Sequence, residues 1–178
     1  KIWNAFRLVK GWEISDDIAQ PEHSAKAIEW MQAQLRTVVA EINDLYSKYR
    51  LNEALMAMFK LFTDEFSGWY LEMIKPAYQA PIDRKTLEAT MEIFEQLMKV
   101  IHPFMPFITE ELYQHICERK EGESIMASTL SLSAPTEADA ALIAQFDEMK
   151  QIISGVRAVR QSKNIAQREA LTLEVVAA

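Results

Sequence analysis

From Pro21 to Tyr49 the apolar residues Ile28, Met31, Leu35, Val38, Ile42, Leu45 and Tyr49 recur at alternating intervals of three and four, which puts all of them along one side of an α-helix. A helix of that span is about 40 Å long, and its apolar side must be covered. The pattern repeats. Asn52 is suited to cap a second helix with Leu55, Phe59, Phe62, Phe66, Trp69 and Met73 inward, stopped by Pro76. Asp83 is suited to cap a third, with Leu87, Met91, Phe94, Met98 and Ile101 inward and Pro103 just past its end. Pro106 fits the first turn of a fourth, where Glu110 and Glu111 lie near enough to the start to favour the helix dipole. Long stripes on short connections bury their faces against one another. The expected fold is therefore mainly α, an antiparallel helical bundle closed by an opening helix from Ile2 to Gly11.

With 178 residues, 49% of them hydrophobic, the chain can build a sizeable core, and its 4 glycines and 6 prolines are few for a hairpin-rich fold. From Glu118 the texture changes to ERKEGESIMASTLSLSAPTEAD, rich in Ser, Thr and charge, with a short alternation at Leu130 and Leu132. An expected boundary lies there. Residues 1–118 form the bundle; residues 119–178 form a linker, a basic helix and short strand or strands, a small α/β appendage leading to a C-terminal part past Ala178. The helix resumes near Glu137, with Leu142, Phe146, Met149, Ile153 and Val156 at helical spacing. Leu171, Leu173 and Val175 then alternate as in a strand, which is expected to pair with Ile125 to Leu132 or with sequence beyond the end.

The single Cys117 makes no internal disulfide, and no apolar stretch approaches the roughly 20 residues of a membrane span. The chain reads as soluble and cytoplasmic. Its first residues, KIWNAFRLVK, lack the core and cleavage site of a secretory signal and look like a helix already under way, so the chain is expected to begin inside a longer protein.

The net charge of −7 is unevenly spread. Lys1, Arg7 and Lys10 give residues 1–10 a charge of +3, and Lys150, Arg157, Arg160, Lys163 and Arg168 give residues 150–168 a charge of +5, which leaves −15 for the remainder. At about 100° per residue, Lys150, Arg157, Arg160 and Asn164 share one side of their helix, while Ile152, Val156 and Val159 fall on another. This basic stripe on a core stripe fits either a solvated face or a phosphate-binding one.

Catalytic chemistry is scarce. His23, His102 and His115 stand far apart, His115 with Cys117 has no zinc-site spacing, and there is no glycine-rich phosphate loop. In TDEFSGWYLEMIKPAY, Trp69, Tyr70, Lys75 and Tyr78 put aromatic faces and a cation near a helix end, a composition suited to stacking unpaired bases and holding phosphates. Trp69 lies on the core stripe and is expected to be packed, whereas Tyr78, past Pro76, is expected to be exposed. Asn4 and Arg7 lie one turn apart and can address a base edge and a phosphate together, or serve simply as surface residues.

Five ordered stretches are similar to one family. KIWNAFRLV resembles the opening bundle helix of the valyl-tRNA synthetases, WYLEMIKP the signature of their third helix, and HPFMPFITEELYQ their proline-bounded turn and following helix. SIM resembles the next short segment and VRAVRQSKNI the later basic helix. The leucyl, isoleucyl and methionyl relatives share the bundle and the proline-rich turn; WYLE followed by KP, and VRAVR followed by NI, look specifically valyl.

The resemblance implies a class I ligase that charges tRNA with valine, using ATP and Mg2+ on a separate catalytic domain and removing mischarged products in an editing domain. None of that chemistry lies in this stretch, which lacks the HIGH and KMSKS signatures; its own cofactors are none and its role is tRNA anticodon recognition and docking. The implied partners are a valine tRNA and the catalytic domain of the same polypeptide, with the stretch itself monomeric. In related synthetases the opening bundle helix and the loop after the third helix approach the anticodon, which points here to Asn4 and Arg7, with Lys10 beside them, and to Lys75 and Tyr78. Arg157, Arg160 and Lys163 would hold phosphates. Methionyl relatives carry a tryptophan after the equivalent proline, where this chain has Ala77, a departure that weakens the case for a base stacked at 77 and leaves Tyr78 as a candidate only. The other readings are the equivalent domain of an isoleucyl or leucyl enzyme, or a helical protein-interaction module, which predicts dimerisation or an exposed apolar groove.

Overall fold

The computed structural model describes residues 1–166 and 168–174. In chain order the elements are α1 (Ile2–Lys10), β1 (Ile14–Ser15), α2 (Glu22–Ser47), α3 (Leu51–Lys60), a π-helical run (Leu61–Tyr70) leading into α4 (Leu71–Ile74), β2 (Ile82–Asp83), α5 (Arg84–Ile101), α6 (Pro106–Ile116), a 3-10 turn (Ile125–Ala127) and α7 (Glu137–Ser162). None of the described helices is long and apolar enough to cross a membrane.

The central helix is α2, which touches α3, α5 and α7. It buries Ile28, Met31, Leu35, Ile42 and Leu45 as the spacing predicts, and also Ala27, Trp30, Ala33 and Val39, because a helix with neighbours on several sides needs a wider apolar arc. Tyr49 departs from the expected stripe: α2 ends at Ser47, and Tyr49 turns the chain with φ of 58° and stays exposed. At the core centre, Phe6, Phe62 and Phe66 pack around Phe94 with ring centroids 5.7, 6.3 and 5.6 Å away.

The second stripe is corrected in two ways. Asn52 is not a cap, since α3 begins one residue earlier at Leu51 and Arg50 precedes it. More consequentially, Leu61–Tyr70 is π-helical, with wider turns than an α-helix. Its buried residues fall as Leu61 with Phe62, then Phe66, then Tyr70 with Leu71, so Phe66 is followed inward at four and five positions rather than at three. Tyr70 is therefore the fully buried ring, and Trp69 is turned toward the surface and only half-buried. Leu55 and Phe59, upstream of the run, are exposed, and Ala54 and Met58 take the inward places.

Asp83 caps α5 as its position predicts, accepting the Thr86 N–H at 2.8 Å. The two strands pair in parallel, Ile14 with Ile82 and Ser15 with Asp83, which ties the end of α1 to the start of α5. These are not where alternation placed a strand: Leu171–Glu174 pairs with no strand among the described residues, residues 125–132 contain a 3-10 turn, and Val175 lies outside the described residues. Pro106 opens α6, but Glu110 falls a full turn beyond the start. It accepts instead from Ser124 Oγ at 2.7 Å and Ile125 N–H at 3.1 Å, tethering that loop, while exposed Glu111 sits beside His115. α7 starts in a capping box of Thr136 and Asp139 and runs antiparallel to α2, with Asp139 on Arg36 and the Phe146 ring stacked on Trp30 at 5.0 Å.

Candidate nucleic-acid interface

α1 buries Ala5, Phe6 and Val9 against α5, which leaves Asn4, Arg7, Leu8 and Gly11 on its outward side. The end of this helix faces the turn after α4. Leu8, Trp12 and Glu13 on one wall and Lys75, Tyr78 and Gln79 on the other enclose a cleft of about 370 Å³. The sequence makes the turn locally: Pro76 ends α4, Pro81 precedes β2, Gln79 takes φ of 61°, and Ala80 N–H donates to Ala77 O at 2.9 Å. Ile82 N–H then bonds Glu13 O at 2.8 Å, so the turn is held beside the end of α1 by backbone pairing.

Tyr78 stands at the tip of the turn, 92% exposed, with a free aromatic face. Lys75 is paired with Glu72 on open surface, a contact too weak to prevent exchange for a phosphate. Asn4 and Arg7 lie on the same outward side as Leu8 and Gly11, along the approach to the cleft. Lys10 is elsewhere: its ammonium reaches Ile116 O at 3.4 Å and lines a separate groove with Glu88, Glu92 and Glu95. That acidic surround repels a phosphate.

The basic run of α7 is oriented differently from the expected stripes. Lys150 is half-buried, 5.2 Å from the Trp30 ring and bonded to Glu65 at 2.8 Å and Asp147 at 2.7 Å. Burial disfavours its ammonium, but Asp147 and Glu65 outweigh this and raise its pKa. Arg157 lies over Trp69, 5.4 Å from the ring centroid. The cationic side of α7 thus faces two tryptophans, while Ile152 and Val159, expected as core, are exposed. Indole faces attract cations as well as hydrocarbon, and this lets the helix dock by its basic side. Arg160 donates to the carbonyls of Ala166 at 2.7 Å and Glu169 at 2.9 Å, securing the chain after the helix, and Lys163 is exposed at the helix end.

Trp12, Glu13, Leu8 and Gln79 were not singled out by the sequence. The one available signal was the pair of prolines at 76 and 81, which brackets a turn of fixed length opposite whatever the fold brings there. The described residues contain no group of three His, Cys, Asp or Glu side chains placed to hold a metal ion.

The family described as the anticodon-binding domain of tRNA ligase matches residues 29–176. The chain is 58% identical over 99% of its length to a valine-tRNA ligase of Phocaeicola vulgatus and 55% identical, again over 99%, to one of Parabacteroides distasonis. A more distant valine-tRNA ligase, of Rhizobium meliloti, is 28% identical over the whole chain. The chain spans about 20% of the length of the first two and 19% of the third.

Proposed function

The chain belongs to the anticodon-binding domain family of tRNA ligases, and on that premise we propose that it grips the anticodon arm of a valine tRNA for a valine-tRNA ligase. The observation that carries this reading is the cleft between the end of α1 and the Pro76 turn, with Tyr78 exposed at its rim and Asn4 and Arg7 on the approach. Unstacked bases are read by stacking on aromatic faces and by hydrogen bonds to their edges, and phosphates are held by cations. Tyr78 supplies the face, Gln79 and Asn4 the edge partners, and Arg7, Lys75, Arg157 and Lys163 the cations. Lys10 and Arg160 remain candidates of the sequence, but their placement favours structural contacts with Ile116 and the chain after α7.

Activation of valine and its transfer to tRNA belong, in this reading, to the rest of a longer cytoplasmic polypeptide that uses ATP and Mg2+. The donor set here does not fit those groups: the described residues hold no metal-ligand cluster, and the glycines form no phosphate-cradling loop. The bundle end opposite the cleft exposes Trp3, Phe59 and Met105 around one groove, an apolar face suited to packing on the catalytic domain of the same polypeptide. The domain itself is monomeric in this proposal.

The test is Arg7→Ala in the full-length ligase. Weaker binding and slower charging of valine tRNA are expected, with valine-dependent ATP–pyrophosphate exchange unchanged. Unaltered charging would sink the proposed role of Arg7.

A further inference from the structure

We infer that Trp69 is a positioning residue that holds Arg157 ready for a backbone phosphate of tRNA; the inference rests on the tRNA-binding reading above. Two cations of α7, seven residues and so two turns apart, lie on tryptophan rings of the bundle: Lys150 on Trp30 and Arg157 on Trp69. Their situations differ. The Lys150 charge is matched by two carboxylates. Arg157 is exposed, and no carboxylate among the described residues lies within ion-pair distance of it. The indole attracts the guanidinium charge at 5.4 Å, and no side-chain hydrogen bond ties the Arg157 N–H groups to another described residue, so its donors stay available. Those donors form the fork that matches two phosphate oxygens at once. A long side chain that would otherwise sample many rotamers is thereby restrained beside the ring while the residue stays exposed.

The platform itself follows from the π-helical run. In a continuous α-helix Trp69 would follow Phe66 on the inward stripe; the wider turn buries Tyr70 instead and leaves Trp69 half-buried beneath α7. Placement agrees with the proposed grip. α7 is antiparallel to α2, so its second half runs toward the end of the bundle where α2 starts, where Gln20 bonds Thr86 and where the Pro76 turn and the end of α1 also lie.

The experiment is titration of the full-length ligase with valine tRNA at several salt concentrations. Arg157→Ala is expected to weaken binding and to reduce the slope of log affinity against log salt by about one. Trp69→Leu is expected to weaken it about threefold with the arginine still present, Trp69→Phe to retain most of the affinity, and Trp69→Leu with Arg157→Ala to bind no more weakly than Arg157→Ala alone. Arg157→Lys, an exposed change that leaves the fold intact, keeps the charge and is expected to lose affinity because it lacks the fork. Wild-type binding by Trp69→Leu, or additive losses in the double variant, would overturn the positioning role. Wild-type binding by Arg157→Ala would also overturn it, while leaving the cleft reading to the separate Arg7 result.

Discussion

The carboxylate of Asp139 accepts both the Nε and an Nη donor of Arg36 while also accepting the Thr136 backbone N–H at 2.9 Å, so one buried group both starts α7 and anchors it to α2. The Arg36 bond is the largest cause holding the Asp139 pKa far below its ordinary value of 3.8. Asp139→Asn is expected to lower stability by about 2 kcal/mol through the lost ion pair and weaker cap. Urea unfolding would measure this, and hydrogen exchange would place the loosening in α7. Because the folded-state pKa is depressed, the stabilisation is fully present above pH about 4 and is lost as pH falls from there toward the folded value. The wild-type protein should therefore lose stability more steeply than the variant as pH falls below about 4; equal slopes there would contradict the assignment.

The π-helical run makes adjacent aromatic residues unequal. Tyr70 is fully buried and its hydroxyl is 2.8 Å from Thr90 Oγ1, whose own proton goes to Thr86 O at 2.7 Å, so Tyr70 is the donor. Burial drives its pKa up, against the opposing effect of the Thr90 bond. Tyr70→Ala is expected to cost about 4 kcal/mol, and Trp69→Ala about 1 to 2 kcal/mol. Chemical denaturation of the two variants checks the order, which an unbroken α-helix would reverse.

Arg119 lies 3.7 Å from the Tyr113 ring centroid and bonds Glu95 at 2.6 Å, holding the segment after α6 against α5. Burial acts to raise the Glu95 pKa, but Lys99 and Arg119 outweigh it and keep the carboxylate charged. Arg119→Lys preserves the charge yet loses the flat stacking surface and the fork, so a loss of about 1 to 2 kcal/mol is expected. A variant as stable as wild type in thermal unfolding would show that charge alone suffices.

Tyr78 offers the opposite case, a large aromatic residue with almost no contact to the protein. Tyr78→Ala should leave the unfolding midpoint unchanged and weaken tRNA binding by about 1 to 2 kcal/mol, the scale of one base stacked on an aromatic ring. If affinity is retained, another group does the stacking.

Features governed by neighbours in sequence were legible in advance. Asp83 caps α5 because its oxygen reaches an N–H three residues on, Pro106 opens α6 because it has no N–H to lose, and α7 begins close to Glu137. The order of the helices and the exposure of Tyr78 past Pro76 follow from the same local chemistry. Features that join distant residues were not legible. The pairing of Ile14 with Ile82 depends on α1 and α5 lying side by side, and two residues per strand leave no periodic trace. The walls of the cleft come from residues 8–13 and 75–80, which only that pairing brings together.

By itself, then, the sequence determined that this chain makes long apolar-sided helices with defined starts and stops, and its motifs carried the family resemblance, because those properties depend on residues within a turn or two. Only the tertiary structure decided that Tyr70 rather than Trp69 enters the core, that Lys150 is consumed by Glu65 and Trp30, and that Arg157 is presented on Trp69. Helical phase and the direction of a long cationic side chain are set by what packs against them. A run of basic residues reads the same in sequence whether its charges face carboxylates, indole rings or open water.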